Sequence, residues 1–209
     1  MQSAEIELKI PVANVLDLQD RLIQLGFHLV TPRTLEQNTL YDAPSRDLRA
    51  QRQILRVRQY GNLCTVTHKR LPSQSDPVDT TRYKVRIETE TAVADPEAMA
   101  EIFIQLGYIP AFVYEKYRTE WSQPISPGSQ TNSQTVAHLV IDETPIGNYA
   151  ELEGPTAWID QTLVQLNVDP ATCLTDSYGK LFLDWKERTH SPAENLTFAE
   201  IAPLAFSSR

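Results

Sequence analysis

Cysteine is scarce in this chain: two in 209 residues, Cys64 and Cys173, far apart and with no partnering pattern. That sets aside a disulfide scaffold and fits a reducing compartment, with packing roles for both thiols. Positive charge is also in deficit. Lys and Arg number 19 against 27 Asp and Glu, a net charge of −8. Broad binding to duplex nucleic acid or to an anionic membrane needs a basic surface and is excluded, although a local basic cluster is still permitted. No apolar run reaches the roughly 18 residues of a membrane-spanning helix, and no signal-type N-terminus appears. The expectation is a soluble cytoplasmic protein, monomer or homodimer, with length enough for one domain and a sizeable core.

Several catalytic signatures are missing as well. There is no Gly-x-x-x-x-Gly-Lys loop for a nucleotide, no serine in a nucleophile elbow, and no cysteine beside a histidine. The four histidines (28, 68, 138 and 190) lack zinc spacing. His68 and His138 are expected on the apolar parity of their strands, in packing or surface roles.

What is present is alternation with charge. Glu5-Ile6-Glu7-Leu8-Lys9 puts three charged residues on one strand face and two apolar ones on the other. Arg56 and Arg58 flank Val57, and Thr65, Thr67 and Lys69 alternate with Val66 and His68. Arg86, Glu88 and Glu90 share a parity, as do Lys116, Arg118 and Glu120, and Glu151 and Glu153 flank Leu152. A single such strand turns its polar face to water. Repetition through the chain predicts a sheet with a dedicated charged face.

Taken in order, a strand over 5–10 ends at Pro11, and helical spacing from Asn14 to Leu25 stops at Gly26. Segments 27–30 and 34–41 read as extended, 42–45 as a turn and 46–52 as a helical turn. Strands 54–60 and 63–70 form a hairpin across Gly61-Asn62. A polar loop over 71–80 leads to a strand over 81–91, and Asp95-Pro96 opens a helix ending at Gly107. Segment 111–121 is extended and 122–135 is a mobile hairpin tip. Strands over 136–142 and 149–153 follow, then helices over 157–166 and 176–188. The tail from Thr189 is expected to be weakly ordered. A phrase recurs at three helix ends: Ile23-Gln24-Leu25-Gly26-Phe27, Ile104-Gln105-Leu106-Gly107-Tyr108 and Val164-Gln165-Leu166-Asn167-Val168. Either an internal repeat or the general preference for Leu-Gly at helix ends accounts for it.

Gathered by parity, with nearby Asp142 and Lys180, the acids are Glu5, Glu7, Glu88, Glu90, Asp142, Glu151 and Glu153. The bases are Lys9, Arg56, Arg58, Lys69, Arg86, Lys116, Arg118 and Lys180. Desolvating such a set without partners costs too much, so a wet cavity with a highly charged guest is implied. Arginine forks and lysines match phosphate oxygens, and paired carboxylates hold Mg²⁺ or Mn²⁺. Crowding is expected to lower the lysine pKa values and to raise those of metal-free glutamates.

The ordered series resembles the CYTH, or triphosphate tunnel metalloenzyme, superfamily. Glu5-x-Glu7-x-Lys9 looks like its ExExK signature, and Leu55-Arg56-Val57-Arg58, Thr65–Lys69, Tyr83–Glu90, Glu115–Arg118, Ile141-Asp142, Ala150–Gly154 and Ser177–Lys180 follow in order. The resemblance spans roughly residues 4 to 187, within a domain over 1–188 and a tail over 189–209. It implies an α+β fold: an eight-stranded antiparallel β-barrel tunnel with a charged lumen, flanked by helices. By the same resemblance Glu5, Glu7, Asp142, Glu151 and Glu153 hold Mg²⁺ or Mn²⁺. Lys9, Arg56, Arg58, Lys69, Arg86, Lys116, Arg118 and Lys180 hold phosphate, and Lys9, Glu88 and Glu90 serve the chemistry. The implied activity is hydrolysis of a small triphosphate-containing substrate. The alternatives are a class IV adenylyl cyclase, which Leu106–Phe112 also resembles, a non-catalytic polyphosphate or nucleotide binder, and a plain structural barrel.

Overall fold

The computed structural model describes residues 2–73, 82–124 and 136–201. Eight antiparallel strands close into a barrel: β1 (Gln2–Val12), β2 (His28–Asp42), β3 (Ile54–Tyr60), β4 (Leu63–Arg70), β5 (Lys84–Ala92), β6 (Ile109–Pro124), β7 (Val136–Thr144) and β8 (Gly147–Glu153). Around the barrel the order is β1-β5-β4-β3-β2-β6-β7-β8. The expected eight-stranded barrel with flanking helices is therefore the observed one. Most of the polar loop at 71–80, the start of the strand expected at 81, and 125–135 of the expected hairpin tip lie outside the described residues. Residues 122–124 extend β6.

The polarity is inverted relative to an ordinary barrel. Helices α1 (Val15–Gln24) and α4 (Thr156–Gln165) cover the outer face of β1, β5, β7 and β8, where Leu8, Ile10, Val85, Leu139, Ile141 and Leu152 meet Leu22, Ile159 and Leu163. Helix α3 (Pro96–Gln105) brings Phe103 against Tyr41 and Val57. The one-turn helix α2 (Asp47–Ala50) and the longer α5 (Tyr178–Thr189) lie at one end of the barrel. Apolar burial thus occurs outside the strands, which frees the inward parity for charge.

Helix starts follow local chemistry. Asn14 accepts from the amides of Leu16 and Asp17, Asp95 from Ala98, and Ser177 from Lys180. The recurring phrase has a single geometry. Gly26, Gly107 and Asn167 are all left-handed, and each is followed by a residue whose amide bonds back five positions: Phe27 to Leu22, Tyr108 to Phe103, Val168 to Leu163. This 6→1 closure places Phe27, Tyr108 and Val168 back on the core.

Two differences from the sequence expectation matter. Pro11 does not end β1, which runs on to Val12 beside β8. The extended pieces at 27–30 and 34–41 are one strand, bulged near Pro32 where the chain cannot donate to the ladder.

The segment after α4 completes the barrel rim. β1 pairs with β5 only as far as Glu7, and Leu174 then exchanges both backbone bonds with Lys9, at 3.0 and 2.7 Å. β6 pairs with β7 only from Tyr117 onward. Before that point Leu196 bonds to the backbone of Val113 and Glu115, while Asn195 Oδ1 accepts from Val113 N. Leu196 is fully buried, with Ile201 and Ala193 beside it. Residues 189–201, expected to be weakly ordered, are therefore packed, because they fill hydrogen-bonding positions that β7 leaves open.

Candidate active site

Strand parity places Glu5, Glu7 and Lys9 of β1 inside the barrel, facing Arg56 and Arg58 of β3, Thr65 and Lys69 of β4, Lys84, Glu88 and Glu90 of β5, Lys116 and Arg118 of β6, and Glu151 and Glu153 of β8. They line a cavity of about 670 Å³.

Three carboxylates converge. Oxygens of Glu5, Glu7 and Glu153 all lie within 4.8 Å of one another, a spacing one oxygen-seeking divalent cation can bridge. Burial, and next the Glu5 charge, push Glu153 up to about 8. Lys69 pairs Glu5 and Lys84 pairs Glu7, at 2.6 and 2.5 Å, while Glu153 has no ion pair within 4 Å among the described residues. The three carboxylates fit Mg²⁺ or Mn²⁺. Asp142 and Glu151, expected beside them, stand elsewhere. Arg118 grips Asp142 with two bonds of 2.7 Å and reaches Glu151 at 2.6 Å. Lys116 and the Tyr178 hydroxyl also donate to Asp142, at 2.9 and 2.6 Å. Lys9 donates to Glu151 at 2.6 Å.

The cations form a ring around the acids. Lys69 bridges Glu5 and Glu88 at 2.6 and 3.0 Å. Arg58 and Arg56 approach Glu90 at 3.3 and 3.6 Å. Burial works against the ammonium groups of Lys9 and Lys69, but Glu151 and Glu7 around the first and Glu5 around the second outweigh it. Both pKa values are raised. For Lys9 and Lys69 the expected lowering is thus overturned, because a carboxylate oxygen lies 2.6 Å from each ammonium.

Two expected phosphate ligands sit apart. Arg86 opens onto the barrel mouth, where its Nη1 donates to the Val85 carbonyl. Lys180 is exposed on α5 and pairs with Asp184. His68 follows its expected outward parity and meets Gln53 at 3.2 Å. His138 does not; it shares parity with Asp142 and sits opposite Glu153.

Four lumen residues were missed on the sequence. Lys84 donates to Glu7 at 2.5 Å, and its parity with Arg86 was the available signal. Glu36 is completely buried between Lys116 at 3.4 Å and Arg118 at 3.7 Å, with Asn38 donating to it. Burial would raise the Glu36 pKa, but Lys116 and Arg118 hold it far below the ordinary carboxylate range. Tyr178 closes one side of the lumen, its ring 4.7 Å from the Lys9 ammonium and 4.9 Å from that of Lys116.

Comparison with known proteins agrees with this geometry. The CYTH domain model matches residues 3–163. A Methanocaldococcus jannaschii protein, by name a candidate adenylate cyclase, is 22% identical over 177 residues, covering 85% of this chain and 97% of that protein. A Vibrio parahaemolyticus structure, also a candidate adenylate cyclase by name, superposes with TM-score 0.66 at 19% identity, covering 86% of this chain and 97% of the other. A Hippeastrum candidate adenylyl cyclase, described as having a dominant triphosphatase activity, gives TM-score 0.54 at 16% identity over 88% and 96% of the two chains. The match over residues 3–163, on a closed barrel with its charges inside, makes this chain a member of the CYTH domain family.

Proposed function

We propose that this protein is a metal-dependent hydrolase that cleaves a terminal phosphate from a small triphosphate-containing substrate inside the tunnel. The observation that carries the reading is the juxtaposition of the Glu5–Glu7–Glu153 cluster with the cations Lys9, Lys69, Arg56 and Arg58 in one cavity. A passive phosphate binder gains nothing from three carboxylates that repel its ligand. The dominant triphosphatase activity ascribed to the Hippeastrum protein supports hydrolysis.

Glu5, Glu7 and Glu153 would hold Mg²⁺ or Mn²⁺. Such a cation supplies Lewis-acid charge neutralisation at phosphate oxygens. Lys69, Arg56 and Arg58 would neutralise the transferring phosphoryl group as its charge spreads over the equatorial oxygens, and Lys9 would neutralise charge gathering on the leaving diphosphate. Glu90 is kept ionised. Burial would raise its pKa, but the Thr67 hydroxyl and Arg58 hold it low. It orients a water through a hydrogen bond, with Glu88 beside Lys69 as the second carboxylate. The water oxygen forms the new bond to phosphorus, the bridging P–O bond breaks toward the diphosphate, and the water proton passes through the carboxylate to solvent. No covalent enzyme intermediate is required.

A class IV adenylyl cyclase is the second reading, favoured by the names of two relatives. There the ribose 3′-hydroxyl replaces water and pyrophosphate leaves. Incubation with ATP, inorganic triphosphate or thiamine triphosphate, each with Mg²⁺ and with Mn²⁺, separates the two. Orthophosphate is the expected product, and Glu7→Gln should abolish its release. Cyclic AMP with pyrophosphate would replace the hydrolase by the cyclase.

A further inference from the structure

The segment before α5 reaches into the tunnel with one side chain. Ser177 caps the helix, its hydroxyl accepting from the Lys180 amide, so Tyr178 is the first helical residue. The Tyr178 ring is buried and lines the cavity between β1 and β6. Four residues earlier, Leu174 exchanges both backbone bonds with Lys9. The short stretch 174–178 therefore holds Lys9 once by its main chain and again by its side chain. One turn further along α5, Phe182 packs 5.5 Å from Phe112 and fixes the helix against β6.

Tyr178 makes two kinds of contact. Its hydroxyl donates to Asp142 Oδ2 at 2.6 Å, and the same oxygen accepts from Lys116 at 2.9 Å. Burial, and next the Asp142 charge, push the phenol pKa well above its ordinary value, so the hydroxyl keeps the proton it donates. The ring face lies 4.7 Å from the Lys9 ammonium and 4.9 Å from that of Lys116, and such a face attracts cations. Tyr114 and Tyr149 flank the ring, with centroids 6.2 and 5.8 Å away. The hydroxyl bond and these neighbours keep the ring from turning aside. Each ammonium is thus bounded by two carboxylates and the ring: Glu151 and Glu7 for Lys9, Asp142 and Glu36 for Lys116.

We infer that Tyr178 is a positioning residue, which holds the Lys9 and Lys116 ammonium groups ready for phosphate oxygens. The inference rests on the triphosphate reading of the tunnel and adds to it a side chain that acts through the two lysines. A lysine stem is flexible, and fixing it before the ligand arrives spares its ordering cost on binding. A further carboxylate could fix an ammonium too, but its charge would repel phosphate. A neutral ring attracts the cation without that penalty.

The test measures binding of inorganic triphosphate by calorimetry without divalent metal, which reads the cations alone, at a temperature where every variant is folded. Tyr178→Leu leaves two lysines to be ordered by the ligand and should bind roughly tenfold more weakly. Tyr178→Phe keeps the ring and should stay within about threefold of the wild type. With Mg²⁺ present, KM for triphosphate should rise in the same order. A merely structural role would instead shrink the active fraction, lowering apparent kcat with KM unchanged. Phe182→Leu disturbs the packing of α5 away from the lysines; it should lower the melting temperature and leave triphosphate affinity within about twofold. Unchanged affinity and KM in Tyr178→Leu, or equal weakening by Phe182→Leu, overturns the positioning role while a wild type that binds and hydrolyses triphosphate keeps the tunnel reading. If the wild type does neither, the tunnel reading falls and the inference falls with it.

Discussion

At the scale of single residues, Glu36 decides how Lys116 and Arg118 are presented to the lumen. Its folded pKa is depressed, so its contribution to stability is full above the ordinary carboxylate value and is lost as pH falls below it. Glu36→Gln keeps the shape but leaves two buried cations short of one charge. It should lower the unfolding free energy by about 3 kcal/mol at neutral pH and flatten the acid limb of the stability profile. Wild-type urea unfolding in this variant would rule the role out. Glu153 has the opposite sign. Its folded pKa is raised from 4.5 to about 8, so its favourable contribution is complete below about pH 4.5 and is lost as pH climbs through about 8. Metal binding requires the deprotonated form, and the Mg²⁺-induced thermal shift should therefore grow between about pH 6 and about pH 9. A constant shift would argue against Glu153 as a ligand. Most of this site was legible because the strand period is 2, and Glu5, Arg56, Lys69 and Glu151 announce their face by alternation alone. Glu36 and Asn38 were not, since the bulges around Pro32 hide the parity of β2. The grip of Arg118 on Asp142 and Glu151 depends on three strands meeting, which no single stretch encodes.

At the scale of elements, hairpins and helix ends were readable from Gly61-Asn62, Asp95-Pro96 and the Leu-Gly phrases, where local chemistry settles the outcome. The segment after α5 was not. Its polar, proline-bearing composition conceals that Leu196 and Asn195 occupy open ladder positions on β6. Leu196→Ala should cost about 2–5 kcal/mol, measured by thermal or denaturant unfolding. A cost near zero would return this segment to the unordered class. The same change should loosen the end of the barrel at Tyr114, whose hydroxyl meets Arg56 at 3.3 Å.

At the scale of the whole molecule, the inverted polarity gathers acids and cations on the lumen side, where they are paired with one another. Triphosphate with Mg²⁺ should raise stability by ~2.7 kcal/mol at a hundredfold excess over Kd, read as a shift in melting temperature. A structural barrel without a guest would show none. Closure has a cost in time as well. The strand β1 is the seam: its first half pairs with β5 and its second with β8, the last barrel strand in the sequence. The barrel cannot shut until residues 147–153 return to residues 7–12, a non-local pairing of the kind that slows folding. On the ribosome, the opening strand must wait beside β5 with half of its edge unpaired until β8 emerges. A chain halted before Gly147 would carry that edge exposed, and its fate would be association with other chains rather than a smaller barrel.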